Sequence, residues 1–299
     1  MRRVIDPLLK NSLTKPLYRK LGLKKLWVAQ RHSPHYRMKR LEENGGVLVL
    51  NPYDGPTIDP SEWEPLEYTT YYTDPRTFFA PIASATGEAK MEGFWKYGKP
   101  DKYGQWTPNA KVAKNIVKWV ESLGVPYGRV QLIRKDPNSR RETYWNLHLD
   151  DNNRLNPEGE GWVVRLWLEL TDSPKSMMIL RENEFDKSSE FRIPLHKGSQ
   201  MIIDSENLFH SVHHNAGAGG HVRYGVIVSL ESCPALERWI ETQLPNTQLS
   251  PSWAKTYKQK LGTNPHASLP APKVPAARYT KSISPVSKKQ RSRRKKVAA

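Results

Sequence analysis

The sequence predicts an α+β chain in which β-strands dominate, arranged as a sandwich, barrel or jelly roll. Short apolar runs of strand length recur through the middle of the chain, turn residues punctuate them, and one segment alone shows clear helical spacing. The runs are Val47–Leu50, Arg129–Arg134, Tyr144–Asp150, Trp162–Leu170, Met177–Leu180, Met201–Ile203 and Arg223–Leu230. Turns follow from Asp136-Pro137-Asn138, Asn156-Pro157-Glu158-Gly159, Lys197-Gly198 and the glycine-rich 217–220. The helix is predicted over Lys111–Leu123, where Val112, Ile116, Val120 and Leu123 fall on one face and Gly124 marks the stop.

The chain has 299 residues and a net charge of +17, and the charge is unevenly placed. Residues 1–40 hold twelve Lys/Arg against one Asp, and 273–299 hold ten against none. The stretch between them keeps 25 bases and 29 acids, a balance of −4. Three regions follow: a basic, partly helical N-terminal arm over 1–45, a folded domain over 46–245, and a basic, Pro/Ser-rich, largely disordered tail over 246–299. Such arms bind a polyanion such as nucleic acid, bind an acidic partner, or simply solubilise the chain. Charge alone does not choose among these. No apolar stretch is long enough to span a bilayer. The single cysteine, Cys233, excludes an internal disulfide and a thiolate metal site, which fits a reducing, cytoplasmic compartment.

Metal chemistry must therefore come from His and carboxylates. In Tyr144-Trp145-Asn146-Leu147-His148-Leu149-Asp150, strand alternation puts His148 and Asp150 on one face and the leucines on the other. An imidazole and a carboxylate two residues apart can take adjacent positions on one metal, the local half of a two-His-one-carboxylate facial triad. By itself the pair also reads as a polar strand end. The distal half is Gly198–Val212, in which a glycine turn, an apolar strand and a polar turn lead to His210 at the start of the next strand. His213 and His214 are rivals, and His214 would share the face of His210. The 217–220 turn is expected to fold the strand of Arg223 back beside that of His210. An arginine opening an apolar strand is costly to bury without a carboxylate partner, which a dicarboxylate ligand would supply. Arg165, on the same face as Trp167 in Val163–Leu168, poses the same question.

The ordered set of His148-x-Asp150, distal His210 and following Arg223 resembles the Fe(II)/2-oxoglutarate-dependent dioxygenases. About 100 of the 299 residues carry the likeness, from Gly128-Arg129-Val130-Gln131 to Leu230, and it is most like the aspartyl/asparaginyl β-hydroxylase-type branch. Asp150 stands where that branch often has Gly, Trp167 replaces a His, and Gly225 stands where many members of the superfamily have Ser. The resemblance implies a double-stranded β-helix, a jelly-roll or cupin-like barrel with flanking helices. It implies Fe(II) on His148, Asp150 and His210, with 2-oxoglutarate held by Arg223 and assisted by Arg165, and O₂ as co-reactant. The implied reaction hydroxylates a C–H of a protein side chain or amino acid, coupled to decarboxylation to succinate. Two rivals remain: a non-catalytic jelly-roll structural or nucleoprotein component with basic tails, and a cupin using the same residues for zinc or manganese.

Overall fold

The computed structural model describes residues 35–71, 74–173, 175–215 and 221–260. The short helix α1 (Lys39–Glu43) leads into β1 (Val47–Leu50). After it come β2 (Thr69–Tyr71), β3 (Asp74–Ser84), β4 (Gln105–Trp106), helix α2 (Lys114–Ser122), β5 (Tyr127–Lys135) and helix α3 (Arg140–Trp145). The second half runs β6 (Val163–Glu169), β7 (Met177–Arg181), β8 (Phe191–Pro194), β9 (Gln200–Ile203), β10 (Phe209–His213) and β11 (Arg223–Glu231), then helices α4 (Pro234–Gln243) and α5 (Ala254–Lys260).

The strands form two antiparallel sheets. The large one has the order β1-β9-β6-β11-β5-β3-β2, and the small one β10-β7-β8. Period-2 alternation gives the large sheet two buried faces. Leu166 and Leu168 of β6 and Val226 and Val228 of β11 pack outward on Ile116, Trp119 and Val120 of α2 and on Leu236 and Ile240 of α4. The opposite face meets the small sheet, where Ile133, Trp167, Met201 and Ile203 join Met178, Leu180 and Ile193 in a second core. Two facing sheets with helices on one outer face make the mostly β jelly roll that the strand pattern predicts. Arg165 and Trp167 consequently point inward, as expected once Leu166 and Leu168 are committed to the helices.

Several expectations need correction. Tyr144–Asp150 is not a strand. Its first residues belong to α3, which a capping box starts: Ser139 Oγ accepts from Glu142 N at 3.2 Å, and the Glu142 carboxylate accepts from Ser139 N at 2.7 Å. The chain straightens only after Asn146, and His148 forms an isolated antiparallel bridge to His210. β11 does not return beside β10. It lies between β5 and β6 in the large sheet, while β10 pairs with β7 in the small one, so the chain changes sheets between His210 and Arg223. Strand β3 escapes a sequence reading because it contains Pro75 and Pro81. Its ladder with β5 is irregular at Pro81/Ala83, where the Pro81 carbonyl accepts from Thr107 Oγ1 at 2.8 Å and Asn109 Nδ2 at 2.9 Å. Of the helix expected over Lys111–Leu123, Lys114–Ser122 is present as α2; Lys111 instead ends a 3-10 turn (Pro108–Lys111) and Val112 is exposed, while Gly124 takes the left-handed φ of +63° just past the helix end.

Both expected region boundaries fall inside packed chain. The Arg37 guanidinium lies 3.9 Å above the Trp162 ring, and Trp253 and Tyr257 of the expected tail are buried. Trp253 Nε1 donates to Gly45 O at 2.9 Å, and Gly46 (φ +83°) could carry no Cβ, which would lie 2.5 Å from Tyr257 Oη. The arms themselves, 1–34 and 261–299, and the partners expected of them lie outside the described residues. Among the described residues no helix is long and apolar enough to cross a membrane.

Candidate metal centre

His148, Asp150 and His210 come together: one ligand atom from each lies within 4.8 Å of the other two, and among the described residues this is the one such group of His, Cys, Asp or Glu. The backbone bridge makes the meeting possible. His148 N donates to His210 O at 3.2 Å and His210 N donates to His148 O at 2.9 Å, which sets the imidazole centroids 4.3 Å apart. Asp150 N donates to Ser205 O at 2.8 Å, tying the carboxylate to the loop that leads to β10.

Both rings are held in one tautomer. Nδ1 of His148 lies 2.8 Å from Asn146 O, and Nδ1 of His210 lies 3.2 Å from Leu208 O. A carbonyl can only accept, so each Nδ1 carries a proton, and in the neutral ring each Nε2 carries the lone pair. Metal-ligating histidines show this arrangement, with the second nitrogen anchored to a backbone carbonyl or a carboxylate. Burial works to raise the Asp150 carboxyl, but the neighbouring Arg165 guanidinium opposes it, and the carboxyl lies well below the carboxylate range. An anionic oxygen between two neutral imidazole nitrogens fits a divalent first-row transition metal and leaves part of its coordination sphere open. The rivals are committed elsewhere. His213 Nδ1 meets Thr143 Oγ1 at 3.0 Å, and His214 sits between Ser176 Oγ (2.6 Å) and His221 O (2.7 Å).

The triad opens onto a cavity of about 390 Å³ between the two sheets. Arg165 and Arg223 both line it, and both have carboxylate partners within the protein. The Arg165 Nε donates to Asp150 Oδ2 at 3.0 Å and Nη2 to Asn152 Oδ1 at 2.5 Å, while Nη1 meets Ser229 Oγ and lies 3.4 Å from Asp101 Oδ2. Four of its five N–H groups meet protein acceptors in this way, and one of them supports Asp150. Arg223 is fully buried, and its carboxylate partner is internal: Nε donates to Glu169 Oε2 at 2.7 Å and Nη2 to Glu169 Oε1. Nη1 has no hydrogen-bond partner among the described residues, and neither has the buried Trp167 Nε1 in the same cavity. Gly225 is part of this arrangement, since a Cβ there would stand 3.3 Å from Arg223 Nη2 and 3.4 Å from Glu169 Oε1.

Lys135 is a cavity residue that sequence reasoning missed. It is the register partner of Arg223 and bonds Asp74 Oδ2 (3.2 Å) and Thr77 Oγ1 (2.6 Å). Burial holds its ammonium below the ordinary value against the pull of Asp74, and Arg223 adds to the depression. The signal was available in the alternation Arg129, Gln131, Ile133, Lys135 along β5, all of which line the cavity. The same alternation from Arg165 through Trp167 reaches Glu169.

No family model matches the sequence, and no curated protein matches it. Solved structures are similar at low identity. HygX from Streptomyces hygroscopicus, with nickel, 2-oxoglutarate and hygromycin B bound, is 12% identical over 64% of this chain and 85% of its own, with a TM-score of 0.37. An oxidoreductase of the 2OG-Fe(II) oxygenase family from Burkholderia pseudomallei is 11% identical over 67% and 95%, with a TM-score of 0.40. A prolyl-4-hydroxylase from Pseudomonas putida is 13% identical over 61% and 78%, with a TM-score of 0.29. Likeness at this level assigns no activity to this chain.

Proposed function

We propose that the chain is an Fe(II)- and 2-oxoglutarate-dependent oxygenase. The observation that carries this reading is the tautomer lock: two imidazoles present Nε2 lone pairs beside an ionised carboxylate, at the head of a cavity whose wall also carries Arg223 and Lys135. His148, Asp150 and His210 would hold the iron through two nitrogens and one oxygen. When bound, the iron and 2-oxoglutarate together supply the oxidising chemistry, with O₂ as co-reactant and succinate and CO₂ as products.

The protein's part is placement. Arg223 Nη1 and the Lys135 ammonium provide positive charge for the distal carboxylate of the cosubstrate, and Glu169 holds the guanidinium in its rotamer. Ile133, Ile227 and Val212 give the cavity an apolar stretch of wall. The finer resemblance, to the aspartyl/asparaginyl β-hydroxylase-type branch, supports a protein side chain or an amino acid as the hydroxylated substrate.

The test is anaerobic titration of 2-oxoglutarate into the Fe(II)-loaded chain. A visible charge-transfer band is expected, absent in His148→Ala, and succinate should form when O₂ is admitted. Iron binding without a band would favour the cupin reading. No iron binding at all would leave the non-catalytic scaffold.

A further inference from the structure

We infer that Arg165 is the positioning residue that keeps Asp150 a one-oxygen metal ligand and so sets how many coordination positions stay open. The inference rests on the metal reading above. The two oxygens of Asp150 have different surroundings. Oδ2 accepts from Arg165 Nε at 3.0 Å, with Asn152 Nδ2 at 3.4 Å, whereas Oδ1 lies 3.8 Å from His148 Nε2. Swinging the carboxylate so that both oxygens face the imidazole nitrogens would require Oδ2 to leave Arg165.

The guanidinium cannot follow such a swing, because three further groups hold it. Nη2 donates to Asn152 Oδ1 at 2.5 Å, Nη1 meets Ser229 Oγ on the neighbouring strand, and Asp101 Oδ2 stands 3.4 Å from Nη1. Asp101 is itself fixed, accepting from Arg129 N at 2.8 Å. The side chain of Arg165 is only 3% exposed, so its contact with Asp150 is little screened by water. Arg165 is thus a preset stop on the rotation of the Asp150 carboxylate.

The count of ligands gives that stop a function. On a six-coordinate ion, two imidazoles and a one-oxygen carboxylate leave three positions open, which a chelating 2-oxo acid and one further small molecule fill. A chelating carboxylate would leave two, enough for one of these partners but not for both. By this account Arg165 is the group that keeps the third position available.

The experiment uses the full chain with Mn(II) as the probe metal and counts exchangeable waters on it by electron paramagnetic resonance line broadening in ¹⁷O-enriched water. Three waters are expected for the wild type and two for Arg165→Gln, in which the carboxylate is released to chelate, with tighter Mn(II) binding as a second sign. Arg165→Lys keeps a charged donor for Oδ2 and is expected to restore the third water. The inference is overturned if Arg165→Gln retains three waters, or if Arg165→Lys loses one as Arg165→Gln does, which would make the loss an effect of packing. Should Arg165→Gln not fold, Ser229→Ala and Asn152→Ala each remove one anchor of the guanidinium. They are expected to show a second, two-water population, and its absence from both overturns the inference. Failure of the wild type to bind Mn(II) would sink the metal reading itself, so the two failures are told apart.

Discussion

Replacing Glu169 by Gln tests whether Arg223 is held by the protein, by a ligand, or by both. Both side chains of the pair are fully buried, and two hydrogen bonds join them. The substitution keeps the shape and one acceptor but leaves a guanidinium without a counter-charge. Removing one partner of a buried ion pair costs about 3–5 kcal/mol. At ~2–4 °C per kcal/mol for a domain of this size, melting should fall by roughly 6–20 °C. A dicarboxylate that reaches Arg223 replaces the missing charge, so 2-oxoglutarate should raise the melting temperature of the metal-loaded variant more than that of the wild type. 2-Oxopentanoate, which keeps the metal-chelating end and lacks the distal carboxylate, should not. The double variant Glu169→Leu, Arg223→Met removes both charges and should recover much of the stability while losing the response to 2-oxoglutarate. Calorimetry of the three proteins with and without each acid reads all of this. A Glu169→Gln chain that melts within ~2 °C of the wild type would refute the reasoning, because no desolvated pair worth several kcal/mol could then exist.

Other expectations follow from single contacts. Ser139→Ala removes the cap of α3 and should cost about 1 kcal/mol in chemical denaturation, and the looser helix should weaken iron binding through the short link to His148. Burial, with Arg223 and Lys135, holds the His214 imidazole below its ordinary value, against the pull of the His221 carbonyl. Protonation therefore favours the unfolded chain, so stability should be full above about pH 6.5 and should decline below it, and His214→Gln should flatten that slope. Trp253→Ala should cost ~3–5 kcal/mol, a loss that a loosely attached tail would not show in a melting curve. Gly225→Ser should crowd Arg223 Nη2 and weaken 2-oxoglutarate binding with little effect on metal affinity, measured by titration of each.

The strands that read well from sequence are those whose both faces are apolar or nearly so. Val163–Glu169 and Arg223–Glu231 combine outward Leu and Val with inward functional residues, and a period of two exposes both sets. The triad was legible because His148 and Asp150 are close in sequence and His210 begins a strand. Strand alternation points to residues that do come together, but through the wrong element, since Ser139-x-x-Glu142 is a helix start that outweighs the aromatic Tyr144-Trp145. What sequence could not supply was partner choice between distant strands. Nothing local tells β11 to insert between β5 and β6 and leave β10 to the small sheet. For the same reason the internal partner of Arg223, Glu169, 54 residues away in the chain, was not legible.

Asp204 has a consequence for how the centre is assembled. Its carboxylate accepts from Trp162 Nε1 (3.0 Å), Asn207 Nδ2 (2.7 Å) and Tyr257 Oη (2.8 Å), and Arg37 Nη1 lies 3.4 Å away. It stands one residue before Ser205, whose carbonyl anchors Asp150, and six before His210. Among the described residues, segments near the first and the last therefore close on one buried anion beside the loop that presents the distal imidazole. Shortening the chain before Tyr257 would therefore take one hydrogen-bond donor from that anion and loosen the loop that presents the distal imidazole.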